Sequence, residues 1–295
     1  MPLPESKVSG TTVQPRAATR PVQTIAVTGG KGGVGKTCVA VNLATSCAAA
    51  GRRVLLLDGD LGLANVDVFL GLSPRYTLAH VLAGEHTLEE VIVDAPQGFR
   101  VVPAASGIAN MANMGVAEHF GLVQAFSTLA QGLDMLIVDT AAGISHSVTQ
   151  FSQAAQHVLV VICDEPASLT DAYALIKVLS RNHGVTRFRI LANMTSTPGQ
   201  GAALFDKFQR VTGRFLDVTV EYVGEIPDDS YMRRAIREQR PVVECYPGSP
   251  SGRAFKNLAL KADTWPVPVG PRGNLEFFVE RLVARNTPPR LEVVQ

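Results

Sequence analysis

The chain has 295 residues, 46% hydrophobic and 18% charged, so it can bury a sizeable core and is too apolar to be disordered throughout. Its formal net charge of +1 excludes a global field that recruits nucleic acid or anionic lipid; such a partner has to be met by a local patch. Cys38, Cys47, Cys163 and Cys245 form no CxxC and no zinc spacing with the six histidines, which points to incidental thiols in a reducing compartment rather than a metal centre or disulfide scaffold.

Residues 1–22 carry prolines and small polar residues and lack the apolar core of a signal peptide, so a flexible tail is expected there. No apolar run reaches the roughly 18–20 residues that span a bilayer, and a cytoplasmic location is the expectation. From residue 23 on, short β-branched runs alternate with helical stretches. Strands are predicted at 23–28, 53–58, 99–104, 134–140, 157–163, 187–193 and 220–227. Several are apolar at consecutive positions, as strands covered on both faces should be. Helices are predicted over 38–51, stopped by Gly51, and over 168–184, starting at Ser168 or Thr170 and ending at Gly184. This alternation predicts an α/β fold with a doubly wound, mostly parallel sheet flanked by helices, as a single domain over 23–272. Past Pro241 the segments "YPGSPSG" and "TWPVPVGPRG" predict turns, and 274–285 a closing amphipathic helix within a C-terminal helix and tail over 273–295.

Gly30 to Thr37 fits G-x-x-x-x-G-K-[ST], following one predicted strand and opening a helix. Glycines without Cβ atoms let successive backbone N–H groups curl around phosphate oxygens, and a helix N-terminus adds partial positive charge. Lys36 is expected to bridge β- and γ-phosphates, and the Thr37 hydroxyl to ligate Mg²⁺. Two acidic clusters end predicted strands on the same sheet edge: Asp58 and Asp60 in "LLLDGDLGLANVDVFLG", and Asp139 in "LIVDTAAG". An aspartate in Asp139's place suits Mg²⁺, directly or through water, and Gly143 offers a backbone N–H toward a γ-phosphate. Lone aspartates there would be caps or turn formers; two clusters beside a phosphate loop favour the site.

"KGGVGKT" carries a second lysine, Lys31, and with it the chain resembles the MinD/ParA ATPases with a deviant Walker A motif. The match runs in order from about residue 24 to 245: "DGDLGLANVDVFLG" resembles switch I, "DTAAG" switch II, and "ANMTS" the strand end bearing an adenine-contacting asparagine, here Asn193. "IPDDSYMRRAIREQRPVVE" resembles the segment that completes the adenine pocket, with Pro227 and Asp228 nearest the base. The resemblance implies ATP and Mg²⁺ as cofactors, slow hydrolysis and an ATP-dependent homodimer. It implies nucleotide contacts from Gly30, Lys31, Gly32, Gly33, Val34, Gly35, Lys36, Thr37, Cys38 and Asp58, metal contacts from Thr37 and Asp139, Lys31 acting across the dimer, and Asp60 positioning the attacking water.

Three branches of that family stand open. A ParA-like partition ATPase would use Arg233, Arg237 and Arg240 on non-specific DNA, against a solvated helix in which Arg234 pairs with Glu238. A MinD-like positioning ATPase would use Leu275, Phe278, Val279 and Leu282 as a membrane-facing stripe, against packing of the same residues on the core. The third is the MinD-like regulator of flagellar number, FleN or FlhG: "VVPAASG", "DEPASLTDAYALIKVL", "TRFRILANM", "RFLDV" and "GNLEFFVERLV" resemble that subgroup. This resemblance implies restraint of a FleQ-type AAA+ transcription activator, without sequence-specific nucleic-acid binding, and a place in the cytoplasm or peripherally at the inner membrane or cell pole. Residues 1–22 show no clear D-Q-x-x-x-L-R, the motif with which some members stimulate the FlhF GTPase. "GIANMANMG" (107–115) is either a partner site or a connector.

Overall fold

The computed structural model describes residues 21–104, 115–130, 132–268 and 276–279. In chain order these form β1 (Gln23–Gly29), α1 (Lys36–Ala49), β2 (Val54–Gly59), α2 (Val66–Leu70), α3 (Leu78–Leu82), α4 (Leu88–Val91), β3 (Val93–Asp94) and β4 (Arg100–Val102). There follow α5 (Val116–Ala125), a 3₁₀ turn (Phe126–Ala130), β5 (Met135–Ala142), α6 (His146–Ala154), β6 (His157–Ile162) and α7 (Pro166–His183). The last described elements are β7 (Arg187–Thr195), α8 (Gln200–Phe215), β8 (Thr219–Pro227), α9 (Ser230–Arg237), α10 (Val242–Cys245) and α11 (Pro250–Asp263).

The strands make one sheet in the order β3-β4-β2-β5-β1-β6-β7-β8, parallel throughout except for the antiparallel β3–β4 pair. Alternate residues of each strand feed opposite cores. Ile25, Leu56, Ile137 and Leu159 face α1 and α11, while Leu55, Leu136 and Val138 pack with Phe151, and Val158, Val160 and Ile162 pack under α7. That double burial is the cause of the unbroken apolar runs in the sequence. At the entry of the sheet, Arg53 Nε and Nη2 donate to the Asp134 carboxylate at 3.0 and 2.7 Å, and the Arg53 N–H donates to it at 2.9 Å. These bonds hold the Asp134 carboxyl down at about 2. A carboxyl depressed on folding adds stability above its unfolded value near 4 and loses it as pH falls through its folded value. Asp134→Asn is expected to lower the urea midpoint at pH 7 by roughly 0.3–0.5 M, the modest effect of a solvent-screened pair, and the gap should close as pH is lowered toward about 2.

Four sequence expectations shift. The helix predicted from Ser168 or Thr170 starts at Pro166, because proline suits the first helical turn; the Ser168 hydroxyl instead accepts the Cys163 N–H at 3.1 Å, and Gly184 ends the helix at φ 67 as expected. The turns predicted after Pro241 are present at 247–249 and 264–265, but between them runs an unpredicted 14-residue helix, α11: Ser249 caps it by accepting the Gly252 N–H, Pro250 opens it, and Phe255, Leu258, Ala259 and Ala262 bury one face. Third, α9 stops at Arg237, and Gln239 turns left-handed at φ 52, so Arg240 does not continue the helical face expected with Arg233 and Arg237.

The fourth concerns 274–285, of which only 276–279 is described. There Phe278 has φ 58, a conformation that breaks a regular helix at that point, and both Phe277 and Phe278 are buried. Phe277 meets Phe126 edge-on at 5.4 Å and stacks with Phe151 at 6.4 Å, so this part of the segment packs on the core rather than facing a bilayer. All but the last residue of 107–115 lies outside the described residues. No helix among the described residues is long and apolar enough to cross a membrane.

Candidate functional site

β1, β2 and β5 end together, and the loop from Gly29 to Lys36 runs over that edge beside the central strand. Gly33 and Gly35 adopt φ 81 and 89, values that favour glycine, and Gly35 leads directly into α1. Gly30 is fixed by space: an added Cβ would lie 2.1 Å from the Asp171 carbonyl carbon on α7. From the other side the Asn193 side-chain amide donates to the Val34 carbonyl at 2.8 Å. The loop is thus gripped by α7 and by the end of β7.

Beneath the loop, sheet register decides which acids meet. Asp58 pairs with Asp139 across β2 and β5, and both are 1% exposed. Burial, then Asp58, pushes the Asp139 carboxyl well above the usual carboxylate range, against a hydrogen bond from Thr37 and the charge of Lys36. Its Oδ1 is a buried oxygen with no hydrogen-bond partner among the described residues. An orphaned carboxylate oxygen beside a threonine hydroxyl, at the mouth of a phosphate loop, fits a hard divalent cation such as Mg²⁺, which takes oxygen ligands and keeps several waters. Among the described residues no cluster of three or more His, Cys, Asp or Glu competes as a metal site. Lys36 is buried, which pushes its pKa down, while Asp139 and Asp60 push it up.

Asp58 differs from its expected part as a nucleotide contact. Its Oδ1 accepts from Asp60 N–H at 3.1 Å, and its Oδ2 from Asn65 and Val66 N–H at 2.9 and 3.1 Å. Both oxygens are spent on shaping residues 60–66, and burial pushes this carboxyl up to about 7. Asp60 stands free of the sheet, accepts from Leu63 N–H at 3.1 Å and faces the cleft. That cleft, about 880 Å³, brings together Gly32, Gly33, Gly35, Lys36, Thr37, Cys38 and Asp60, with Leu63, Val68 and Ile236 on its rim. Its size suits a nucleotide. Cys38 packs its sulfur 3.2 Å from Met232, and burial raises the thiol to about 12, so it is an inert wall.

The residues expected around adenine converge at the ends of β7 and β8, where Pro227 lies opposite Thr195. Their side chains are engaged: Asn193 on the Val34 carbonyl and the Asp228 carboxylate on Arg233. The expected pairing of Arg234 with Glu238 is present at 3.0 Å, and Arg240 bonds Glu244 at 2.6 Å. Three of the four arginines in this segment are therefore matched by carboxylates, which leaves little free charge for a DNA phosphate backbone.

Lys31 holds the least expected contact: its ammonium donates to Glu165, immediately before α7, and this bond raises its pKa. Both side chains are solvent-exposed. No local signal in the sequence marks Glu165. It follows β6, whose end lies on the same sheet edge as the loop.

Residues 22–188 match the AAA domain family model. Over 263 residues the chain is 60% identical to the antiactivator FleN of Pseudomonas aeruginosa, covering 89% of this chain and 94% of that protein. It is 31% identical to the flagellum site-determining protein YlxH of Helicobacter pylori, covering 88% and 89%. Among solved structures, the septum site-determining protein MinD of Pyrococcus horikoshii complexed with Mg-ADP superposes with a TM-score of 0.69 at 26% identity, covering 82% of this chain and 96% of that one. On its loop with two lysines, its sheet order and these likenesses, the chain belongs to the MinD/ParA family of P-loop ATPases.

Proposed function

We propose that this protein is a Mg²⁺- and ATP-dependent dimerising switch that restrains a flagellar master transcription activator of the FleQ type and so limits flagellar number. The observation that carries the flagellar reading is the 60% identity, over 94% of its length, to a protein named an antiactivator. The ATPase chemistry rests on the family and on the cleft beneath the phosphate loop.

In this reading the loop amides and Lys36 hold the β- and γ-phosphates, and the N-terminus of α1 supports them. Thr37 and Asp139 hold Mg²⁺, which supplies charge neutralisation on the phosphate oxygens. Asp60, outside the sheet, orients water for in-line attack. Lys31 acts on the partner protomer's phosphates, so hydrolysis depends on pairing. Before it can do so it has to leave Glu165, so the intramolecular ion pair opposes dimerisation until ATP is present. The exposed apolar rim of Leu63, on the segment shaped by Asp58, and Val68, on α2 just after it, is suited to being covered in the dimer.

The test is capture of a purified FleQ-type AAA+ activator by the immobilised full chain with Mg²⁺ and either a non-hydrolysable ATP analogue or ADP. Retention at least about tenfold stronger with the analogue is expected. Equal retention in both states, or none, would sink the switch. Salt-sensitive, ATP-dependent retention of arbitrary duplex DNA instead would establish the partition reading.

A further inference from the structure

The nucleotide cleft lies at the C-terminal ends of the strands. A second cleft, about 610 Å³, opens at the opposite ends, where β6 and β7 begin. A six-residue strand such as β6 separates the two edges by roughly 20 Å, so the second cleft is not an annex of the first. We propose that it is a separate ligand site, for a small organic phosphate, with Arg189 and Arg187 as the phosphate receptors.

Arg189 lies within the cleft wall and is only 8% exposed. A buried guanidinium has to be matched by acceptors or counter-charge. Its Nη1 donates to His157 Nδ1 at 2.9 Å, and since arginine has no acceptor, that ring nitrogen is unprotonated. Its face lies 4.3 Å from the Trp265 ring centroid, a contact that satisfies no N–H. The cross-strand Glu221 carboxylate forms an ion pair with Nε at 3.6 Å, supplying counter-charge but not a hydrogen bond, and is itself 58% exposed. Nε is accordingly a buried donor without a hydrogen-bond partner among the described residues. Among the described residues this planar fork with five donors makes one hydrogen bond.

Arg187 is two residues earlier on β7, hence on the same strand face, and also lines the cleft. The two cations disfavour each other: burial lowers the Arg189 pKa and Arg187 lowers it further, against Glu221. A dianion between them relieves both effects, and a phosphate monoester carries about two negative charges with three acceptor oxygens. The cavity is much larger than an inorganic phosphate, and Val158, Val185, Pro266 and Val267 offer apolar wall to the rest of the molecule.

Trp265 is the chain's single tryptophan and carries the Arg189 guanidinium on its ring, so its emission reports on that wall of the cleft. The full chain is titrated with phenyl phosphate, and with choline chloride at matched ionic strength. A saturable change with phenyl phosphate and none with the salt is expected. The response should persist in Lys36→Ala, in which phosphate binding at the nucleotide loop is removed. Arg187→Gln, a substitution at an exposed position, should raise the midpoint at least about tenfold with an unchanged melting temperature. Arg189→Gln, read by calorimetry because it also alters the surroundings of Trp265, should abolish binding. No saturable response in the native chain, an unchanged midpoint in Arg187→Gln, or a response lost in Lys36→Ala each overturns the proposal. If Arg189→Gln fails to fold, the midpoint of Arg187→Gln decides by itself.

Discussion

Gly30→Ala is expected to lower both the melting temperature and the affinity for ATP, whereas Gly32→Ala, two residues away, should leave the unliganded fold untouched. A Cβ on Gly30 would stand 2.1 and 2.2 Å from the Asp171 carbonyl carbon and oxygen and 2.5 Å from Ala172 N. These are backbone atoms of α7, so no side-chain rotation relieves the overlap. The loop has to move outward by about 1 Å, and overpacking of this kind costs about 1–3 kcal/mol. In a chain of this size that is a drop of several degrees. The displacement also drags Val34 against its bond from Asn193 and shifts the loop proposed to hold phosphate, for which a loss of about 10²-fold in affinity or rate is expected. At Gly32 a Cβ meets nothing within 4 Å. Differential scanning fluorimetry and an ATP titration on both variants check the contrast. Wild-type melting and affinity in Gly30→Ala would show that α7 does not fix the loop.

Lys31→Ala and Asp60→Ala should separate the steps of the proposed switch. Lys31 and Glu165 are both exposed, so removing the lysine should leave folding and nucleotide binding by the monomer unchanged. ATP-induced dimerisation should be lost, and turnover should fall by about 10³-fold, the scale of a cation supplied in trans to a transferring phosphoryl group. Glu165→Gln should act in the opposite direction: it frees Lys31 and lets dimers form at lower protein concentration. Asp60→Ala should retain the ATP-bound dimer and lose turnover by about 10²-fold or more, as expected for a residue that only positions water. Sedimentation velocity with ATP and phosphate release together read all three variants. A Lys31→Ala protein that still dimerises refutes the action across the interface, and wild-type turnover in Asp60→Ala removes that residue from the mechanism.

The amino-acid sequence by itself determined the doubly wound sheet and the phosphate loop. Apolar runs such as Val54–Leu57 are local and strong, and a glycine-rich turn between a strand and a helix leaves its signature in consecutive residues. It also carried α11 in the spacing of Phe255, Leu258, Ala259 and Ala262, although the proline-rich approach reads as turns. Tertiary structure decided matters that depend on residues far apart in sequence. Lys31 meets Glu165 only because β6 runs beside β1, and Asp58 meets Asp139 only through the register of β2 with β5. Burial then divided the acids that look equivalent on paper. Asp58, on the sheet, turns inward to hold backbone amides, Asp139 keeps an oxygen that no described residue pairs, and Asp60, one step past the strand, remains open to the cleft. A carboxylate's role follows from its remaining hydrogen-bond capacity and from the cost of desolvating its charge, and both are set by three-dimensional neighbours rather than by the neighbours in the chain.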